Sequence, residues 1–452
     1  MHALRARRER RGGVGEGVLK RARTRRIDAA PAGYRRHGGT LWCEGVPLDA
    51  VARAAATPTF VYSAGSIRAQ YAALDGALGS IPHRIHYSVK ASSSLGLLRL
   101  LRDLGAGVDI VSGGELYRAL QAGYTGGDIV FSGVGKTTPE LRQAMDAGVR
   151  LVNVESIGEL ERLSAMAVAL GRTAPVALRV NPEVTVDTPH PYTRTGMRGM
   201  KFGIPHDMAL EAGRLALELP GIALMGLDMH IGSQIQEVEP YRDGAERLCA
   251  LADSLRAAGA KELRYLDVGG GLAVSYDDEA AANVDAFAAA MSAVVRQTGL
   301  ELLVEPGRYL IGNAGVLLSR VIDRKHSGGK EYVVVDAGMN DLLRPSHYNA
   351  FHRIEAVTPR GAERETVDVV GPVCESGDFL ALDRELDVLE PGDLIAVRSA
   401  GAYGYSMSSN YNSRPRAAEV LVDGDRFAII TERETYTDLT RLEATEPDWR
   451  QR

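Results

Sequence analysis

The chain has 452 residues, with 53 Lys and Arg against 58 Asp and Glu and three cysteines. That length implies about two domains. The slight negative balance gives no reason to expect nucleic acid or an anionic membrane as partner, no uncharged apolar window of about 18 residues suggests a membrane span, and Cys43, Cys249 and Cys374 are too few, odd in number and too far apart for a disulfide framework, which fits a reducing cytoplasm.

Residues 1–26 carry nine Arg and one Lys against two Glu and few apolar side chains. Such a segment cannot bury enough surface to fold alone, and it lacks the apolar core of a signal peptide. It is expected to be a disordered basic tail, or to reflect an upstream start. Residues 27–58, with "GTLWCEGVPLDAVA", are expected to join a β domain before the chain enters a second unit.

From 59 to 310 short apolar stretches alternate with longer amphipathic ones. The predicted strands are "TFVYS", "RIHYSV", "GVDIVS", "DIVFSG", "RLVNVE", "VALRVN", "LMGLDMHI", "RYLDVGG" and "LLVEPG". Between them lie helical patterns such as "SLGLLRLLRDLG", "GELYRALQAG", "TPELRQAMDAG" and "SIGELERLSAMAVALG", several opening on Ser, Thr or Gly and closing on Gly. Apolar strands alternating with helices imply a parallel sheet covered on both faces. About eight such units in ~250 residues fit a (β/α)8 TIM-like barrel, with a doubly wound open sheet as the alternative. Residues 311–452 change character: "AGVLLSRVID", "EYVVVDAG", "TVDVVGPV", "DLIAVRSAG", "AAEVLVDG" and "RFAIITERE" predict a second, all-β domain.

Functional residues of a parallel barrel gather at the C-terminal ends of its strands. There the sequence places Lys90, then Asp109 and Ser112, then His230, Gly232 and Ser233, then Gly269, Gly270 and Gly271, then Glu305 and Arg308. Glycine lets the backbone approach an anion and point N–H groups at it, so "VGGGLA" after a strand suits a phosphate cradle, although glycine runs also serve ordinary turns. An amine, a phosphate cradle, a carboxylate and an imidazole at one barrel mouth suggest pyridoxal 5'-phosphate, whose aldehyde takes a lysine, whose phosphate takes backbone donors and whose ring nitrogen takes a polar or charged partner. No set of residues asks for a metal.

From about residue 40 to 440 the chain resembles the barrel-type pyridoxal-phosphate decarboxylases, and within them the diaminopimelate decarboxylase branch. The resemblance rests on "YSVKASS", "GAGVDIVSGGELYRAL", "IVFSGVGKT", "NVES", "HPYTRTGMRGMKFGI", "HIGSQI", "DVGGGL", "EPGRYL", "DAGMNDLLRPSHY", "GPVCESGDFL" and "AGAYGYSMSSNYNSRPR", in that order. It implies that Lys90 bonds the cofactor, His230 stacks on its ring, Ser233 and Gly269 to Gly271 hold its phosphate with Gly307 and Arg308 nearby, Glu305 pairs with the ring nitrogen, and Asp109 and Tyr403 also contact it. Arg308, Arg344, Tyr348, Glu375 and Tyr403 are the implied substrate set. Cys374 is the implied proton donor to the product carbanion, reaching with Glu375 across the interface of a homodimer with shared active sites.

The implied activity is decarboxylation of meso-2,6-diaminopimelate to L-lysine and CO2, the last step of lysine biosynthesis, in the cytoplasm. The alternative is decarboxylation of a related or carrier-linked amino acid in a secondary pathway. A carboxylate at the ring nitrogen stabilises its charged form, which favours decarboxylation over the racemisation run by relatives with an arginine there. One position departs from the pattern: Ser92 stands where the family usually has asparagine.

Overall fold

The structure is a computed structural model and describes residues 33–186, 199–277 and 279–450. The basic tail and most of the "HPYTRTGMRG" stretch lie outside the described residues. Eight parallel strands close into a barrel: His83–Ser88, Gly107–Ile110, Ile129–Phe131, Leu151–Val154, Ala174–Asn181, Ile222–Asp228, Tyr265–Asp267 and Glu301–Val304. The eighth strand pairs with the first through Leu302 and His83, and the first pairs onward through His86 and Gly107, so the open-sheet alternative is excluded. Ile204–Pro205 adds a short parallel stub beside the fifth strand.

Covering helices begin where the sequence supplies a side-chain acceptor. Ser112 and Ser156 each accept the N–H three residues on, and Thr137 forms a reciprocal cap with Glu140 ahead of helix Thr138–Ala147. Their apolar faces, with Leu116, Leu141, Leu160 and Leu163, close over Val108, Phe131 and Val152.

The second unit is a nine-stranded mixed sheet built on the long strand Gly315–Ser327. Thr59–Ser63 belongs to this sheet. The "TFVYS" stretch is a strand, as expected, but it pairs antiparallel with Gly315–Leu318 and parallel with Ala418–Val422 rather than with any barrel strand. All five of its residues are buried, so its composition is that of a barrel strand and only its partners separate the two. The N-terminal strands Tyr34–His37, Thr40–Cys43 and Val46–Pro47 pack against this sheet, with Leu41, Cys43 and Val46 among Val61, Val316, Leu318 and Val420.

The two units meet at the barrel mouth. Tyr403 N–H, from the second unit, donates to the Ala91 carbonyl at 2.8 Å, and Ser406 Oγ donates to the same oxygen at 3.2 Å.

The seventh and eighth strands converge closely behind this mouth. A Cβ on Gly270 would stand 2.1 Å from the Glu305 carbonyl oxygen, which is rigid backbone. Gly270→Ala is therefore expected to lower stability by about 2 kcal/mol or more, read as a drop in the denaturant midpoint with the slope unchanged.

Candidate active site at the barrel mouth

The first barrel strand ends at Ser88, and the turn Val89–Ala91 turns Lys90 into the mouth. Its side chain is 34% exposed, and Nζ lies 2.6 Å from Asp109 Oδ2 and 3.3 Å from Ser88 Oγ. Asp109, on the second strand, is fully buried. Burial of Lys90 opposes its charge, but Asp109, Glu305 and Tyr403 outweigh burial and hold the amine above its ordinary range. The turn itself is fixed from below. A Cβ on Gly307 would come within 3.0 Å of the Ala91 Cβ and 3.1 Å of the Ser88 Cβ, so glycine is what lets the "EPGR" turn lie against the lysine turn. Tyr87 hydroxyl accepts from Ser92 N–H at 2.9 Å and donates to its carbonyl at 2.8 Å. Position 92 is thus held to the site through its backbone.

The floor is acidic. Glu305, Asp267 and Asp228 bring carboxylate oxygens within 4.8 Å of one another, all buried. Burial, then the charges of Asp109, Asp267 and Asp228, push the Glu305 carboxyl well above its usual range. Burial and Asp109 raise Asp267 to about 6, against the N–H of Gly269 that it accepts at 2.9 Å. Ser132 Oγ donates to Glu305 at 3.3 Å and is itself held by Asn153 at 3.1 Å. Arg179 is the cation of this floor, 2.9 Å from Glu155 and 3.8 Å from Asp228. Crowded among buried carboxyls, Glu305 and Asp228 are both pushed well toward the protonated form. Oxygens of Asp109, Asp228 and Asp267 have no hydrogen-bond partner among the described residues.

His230 stands over this floor after the sixth strand. Burial, Arg179 and Lys90 drive its pKa well below the usual value, so its ring is neutral, and Nδ1 accepts from Gly270 N–H at 3.2 Å. The glycine run is shaped by backbone. Gly269 and Gly271 have φ of 67° and 100°, and Cβ atoms there would fall 2.6 and 2.3 Å from the carbonyl oxygens of Met229 and Gly232. The N–H groups of Gly269 and Gly270 are used inside the protein; that of Gly271 donates to no described group.

The opposite wall is basic. Arg308, at the start of the short helix Arg308–Ile311, donates to Ser233 Oγ at 3.3 Å and to the Tyr276 hydroxyl, and lies 4.8 Å from the centre of the Tyr403 ring. Arg344, at the start of helix Arg344–Tyr348, lies 4.7 Å from the centre of the Tyr276 ring and donates to His352 Nε2 at 2.9 Å. Tyr348 closes the same short helix that Arg344 opens. Among the described residues neither buried guanidinium has a carboxylate in ion-pair distance, and the Nε of each has no partner. Buried charge of one sign without a counter-charge is costly unless a ligand supplies it.

The structure therefore brings Lys90, Asp109, His230, Ser233, Gly269 to Gly271, Glu305, Gly307, Arg308, Arg344, Tyr348 and Tyr403 around one mouth. Cys374 and Glu375 stand apart: both are exposed, and among the described residues Cys374 N–H donates to the Asn412 side chain while the Glu375 carboxylate accepts from Gly377 N–H. Sequence reasoning assigned nothing to Tyr276, His352, Arg179, Asp228 or Asp267. Asp267 and His352 lie inside quoted motifs, "DVGGGL" and the continuation of "LLRPSHY". Arg179 and Asp228 lie within the predicted strands "VALRVN" and "LMGLDMHI", each in the C-terminal half of the observed strand, the half that faces the mouth. Tyr276 sits in a loop with no pattern that marks it.

The family model for the pyridoxal-binding domain of pyridoxal-dependent decarboxylases matches residues 64–312, which defines the class. Curated relatives narrow it. Diaminopimelate decarboxylase of Vibrio cholerae is 48% identical over 411 residues, covering 91% of this chain and 98% of its own. That of Pseudomonas aeruginosa is 50% identical over 407 residues, covering 90% and 97%. Among solved structures, diaminopimelate decarboxylase of Helicobacter pylori complexed with L-lysine superposes with a TM-score of 0.84 at 40% identity, covering 88% of this chain and 99% of that one. The M. jannaschii enzyme in co-complex with L-lysine gives 0.86 at 34%, covering 92% and 99%. The chain belongs to the diaminopimelate decarboxylase family.

The contact between Lys90 and Asp109 makes a testable statement about protonation. Asp109→Asn removes the nearest charge that favours the ammonium, so the Lys90 pKa falls and the neutral amine is present at lower pH. The pH midpoint for acylation of Lys90 by acetic anhydride, followed on the Lys90 peptide by mass spectrometry, is expected to drop by about one to two units. An unchanged or higher midpoint contradicts the electrostatic role of Asp109.

Proposed function

We propose that the chain is a pyridoxal-phosphate-dependent decarboxylase that converts meso-2,6-diaminopimelate to L-lysine and CO2. The observation that carries this reading is the polarity of the mouth: Lys90 and an acidic floor on one side, and Arg308 and Arg344 without a described carboxylate partner on the other.

The residues present fit the cofactor. Lys90 supplies the amine for its aldehyde. Glu305 holds a proton above its usual range and stands among carboxyls that favour a cationic ring nitrogen. His230 offers a neutral flat ring. Ser233, Arg308 and the Gly271 N–H, which donates to no described group, supply donors of the kind a phosphate takes, with Gly269, Gly270 and Gly307 shaping the backbone around them. When bound, the cofactor serves as the electron sink for the pair left by departing CO2.

The protein does the rest by placement and charge. Asp109 holds the Lys90 ammonium, and Tyr403 anchors the lysine turn while covering Arg308. Arg308, Arg344 and Tyr348 receive the carboxylate at the far end of the substrate, which the product retains. Glu375 pairs with the far amine, and Cys374 delivers a proton to the product carbon, both from the second copy of a homodimer in the cytoplasm. Glu305 favours decarboxylation over racemisation, and Arg179, engaged by Glu155 and Asp228, is not free to replace it.

With meso-diaminopimelate, L-lysine, L-ornithine and a carrier-linked amino acid assayed side by side for CO2 release, the first is expected to be turned over best. Better turnover of any other substrate overturns the assignment. Arg344→Ala is expected to lower kcat/KM for meso-diaminopimelate about a hundredfold or more while cofactor content stays constant. Mixing inactive Lys90→Ala with inactive Cys374→Ala chains under subunit exchange is expected to restore part of the activity; exchange without recovery contradicts a shared site.

A further inference from the structure

Arg344 is 7% exposed, and a buried guanidinium is normally tied down by a carboxylate. Here the partner is an imidazole. His352 is fully buried, and its Nδ1 lies 2.8 Å from the Arg398 carbonyl oxygen. A carbonyl only accepts, so Nδ1 carries the hydrogen and Nε2 presents a lone pair. That lone pair faces Arg344 at 2.9 Å. A second proton on the ring would set N–H against N–H, so the contact exists only for the uncharged ring. Tyr276 packs edge-on to His352 at 5.3 Å and lies 4.7 Å from the Arg344 guanidinium, which fixes both planes. Arg384 holds the His352 carbonyl at 2.8 Å.

We propose that His352 is a positioning residue that orients Arg344 through an uncharged acceptor, so that the guanidinium is fixed in direction yet keeps its full charge for the substrate's distal carboxylate. This rests on the diaminopimelate reading above. A carboxylate in the place of His352 would orient Arg344 equally well and neutralise it. An apolar residue would leave the charge and lose the direction. The imidazole does neither, because its other nitrogen is committed to backbone.

The test uses the cofactor-loaded enzyme and two ligands that differ in one group: L-lysine, which carries the distal carboxylate, and 1,5-diaminopentane, which lacks it. Binding is measured by calorimetry for wild type, His352→Gln, His352→Leu and His352→Glu, with cofactor content and melting temperature recorded for each. Gln can place its carbonyl oxygen near the Nε2 position, and is expected to hold L-lysine within about threefold of wild type. Leu and Glu are expected to weaken it by about tenfold or more, the scale of one hydrogen bond to a charged group. Diaminopentane binding is expected to stay constant throughout, and the KM for meso-diaminopimelate to rise more than kcat falls. Equal losses for Gln and Glu, or parallel weakening of both ligands, overturn the proposal. If Leu or Glu fails to fold, His352→Asn replaces it. Its shorter side chain cannot reach Arg344, so Asn must bind L-lysine more weakly than Gln does, and equality overturns the proposal. A wild-type enzyme that binds the diamine as tightly as L-lysine overturns the substrate reading and the His352 assignment together. A wild-type preference for L-lysine that Leu and Glu leave intact overturns the latter alone.

Discussion

The ion pair between Lys90 and Asp109 sets the terms for the whole mouth. An ammonium at the end of a buried strand is tolerable only beside a negative charge, and Asp109 supplies it from the adjacent strand at 2.6 Å. The contact requires register between the first and second strands, which pair Ser88 with Asp109. It also requires a turn that cannot relax, and three separate segments hold that turn: Gly307 beneath it, Tyr403 and Ser406 from a loop of the second unit, and the hydroxyl of Tyr87 gripping the backbone of residue 92. Tyr403 adopts φ +57°, a region that costs a non-glycine residue on the order of 1–3 kcal/mol. That strain sits where the second unit locks onto the barrel.

Around this pair the charges separate. Carboxyls collect at the floor, where Glu305, Asp228 and Asp267 crowd each other and all three are raised above the usual carboxylate range, while guanidiniums collect on the opposite wall with hydroxyls, rings and an imidazole as neighbours. Neither half is at rest electrostatically. A ligand with a cationic ring nitrogen at one end and anionic groups toward the other completes both. The same arrangement explains why the histidines remain neutral: burial and nearby cations press His230 well down and His352 to about 3. Neutral imidazoles can stack or accept without adding charge to a site that already has it in surplus.

The barrel was legible because its strands are short, apolar and punctuated by capped helices, and because its reactive residues recur at one end of those strands. Thr59–Ser63 shows where that reading stops. Five buried residues in a strand carry no mark of which sheet they enter; the pairing with Gly315–Ser327 is a long-range choice absent from local pattern. The site divides the same way. Lys90, Asp109, His230, Glu305 and the glycines announce themselves by position after a strand. Tyr276 and His352 do not, since their roles come from facing Arg308 and Arg344, residues distant in sequence from at least one of them. Ser92, a departure in side chain, is held by its backbone on the Tyr87 hydroxyl.

The loop of Cys374 and Glu375 lies on the surface. It is exposed, yet it is not loosely built. Asp378 accepts from Val373 N–H and Met339 N–H, each at 2.6 Å, and Cys374 N–H donates to Asn412 at 2.8 Å. Asn412 and Ser413 hold φ of 57° and 53° to meet it. Such ordering costs conformational entropy. The surrounding structure keeps a thiol and a carboxylate displayed in a defined place. On the homodimer reading proposed above, that display would serve the mouth of a second copy, offering it a carboxylate for the distal amine and a donor for the product carbon.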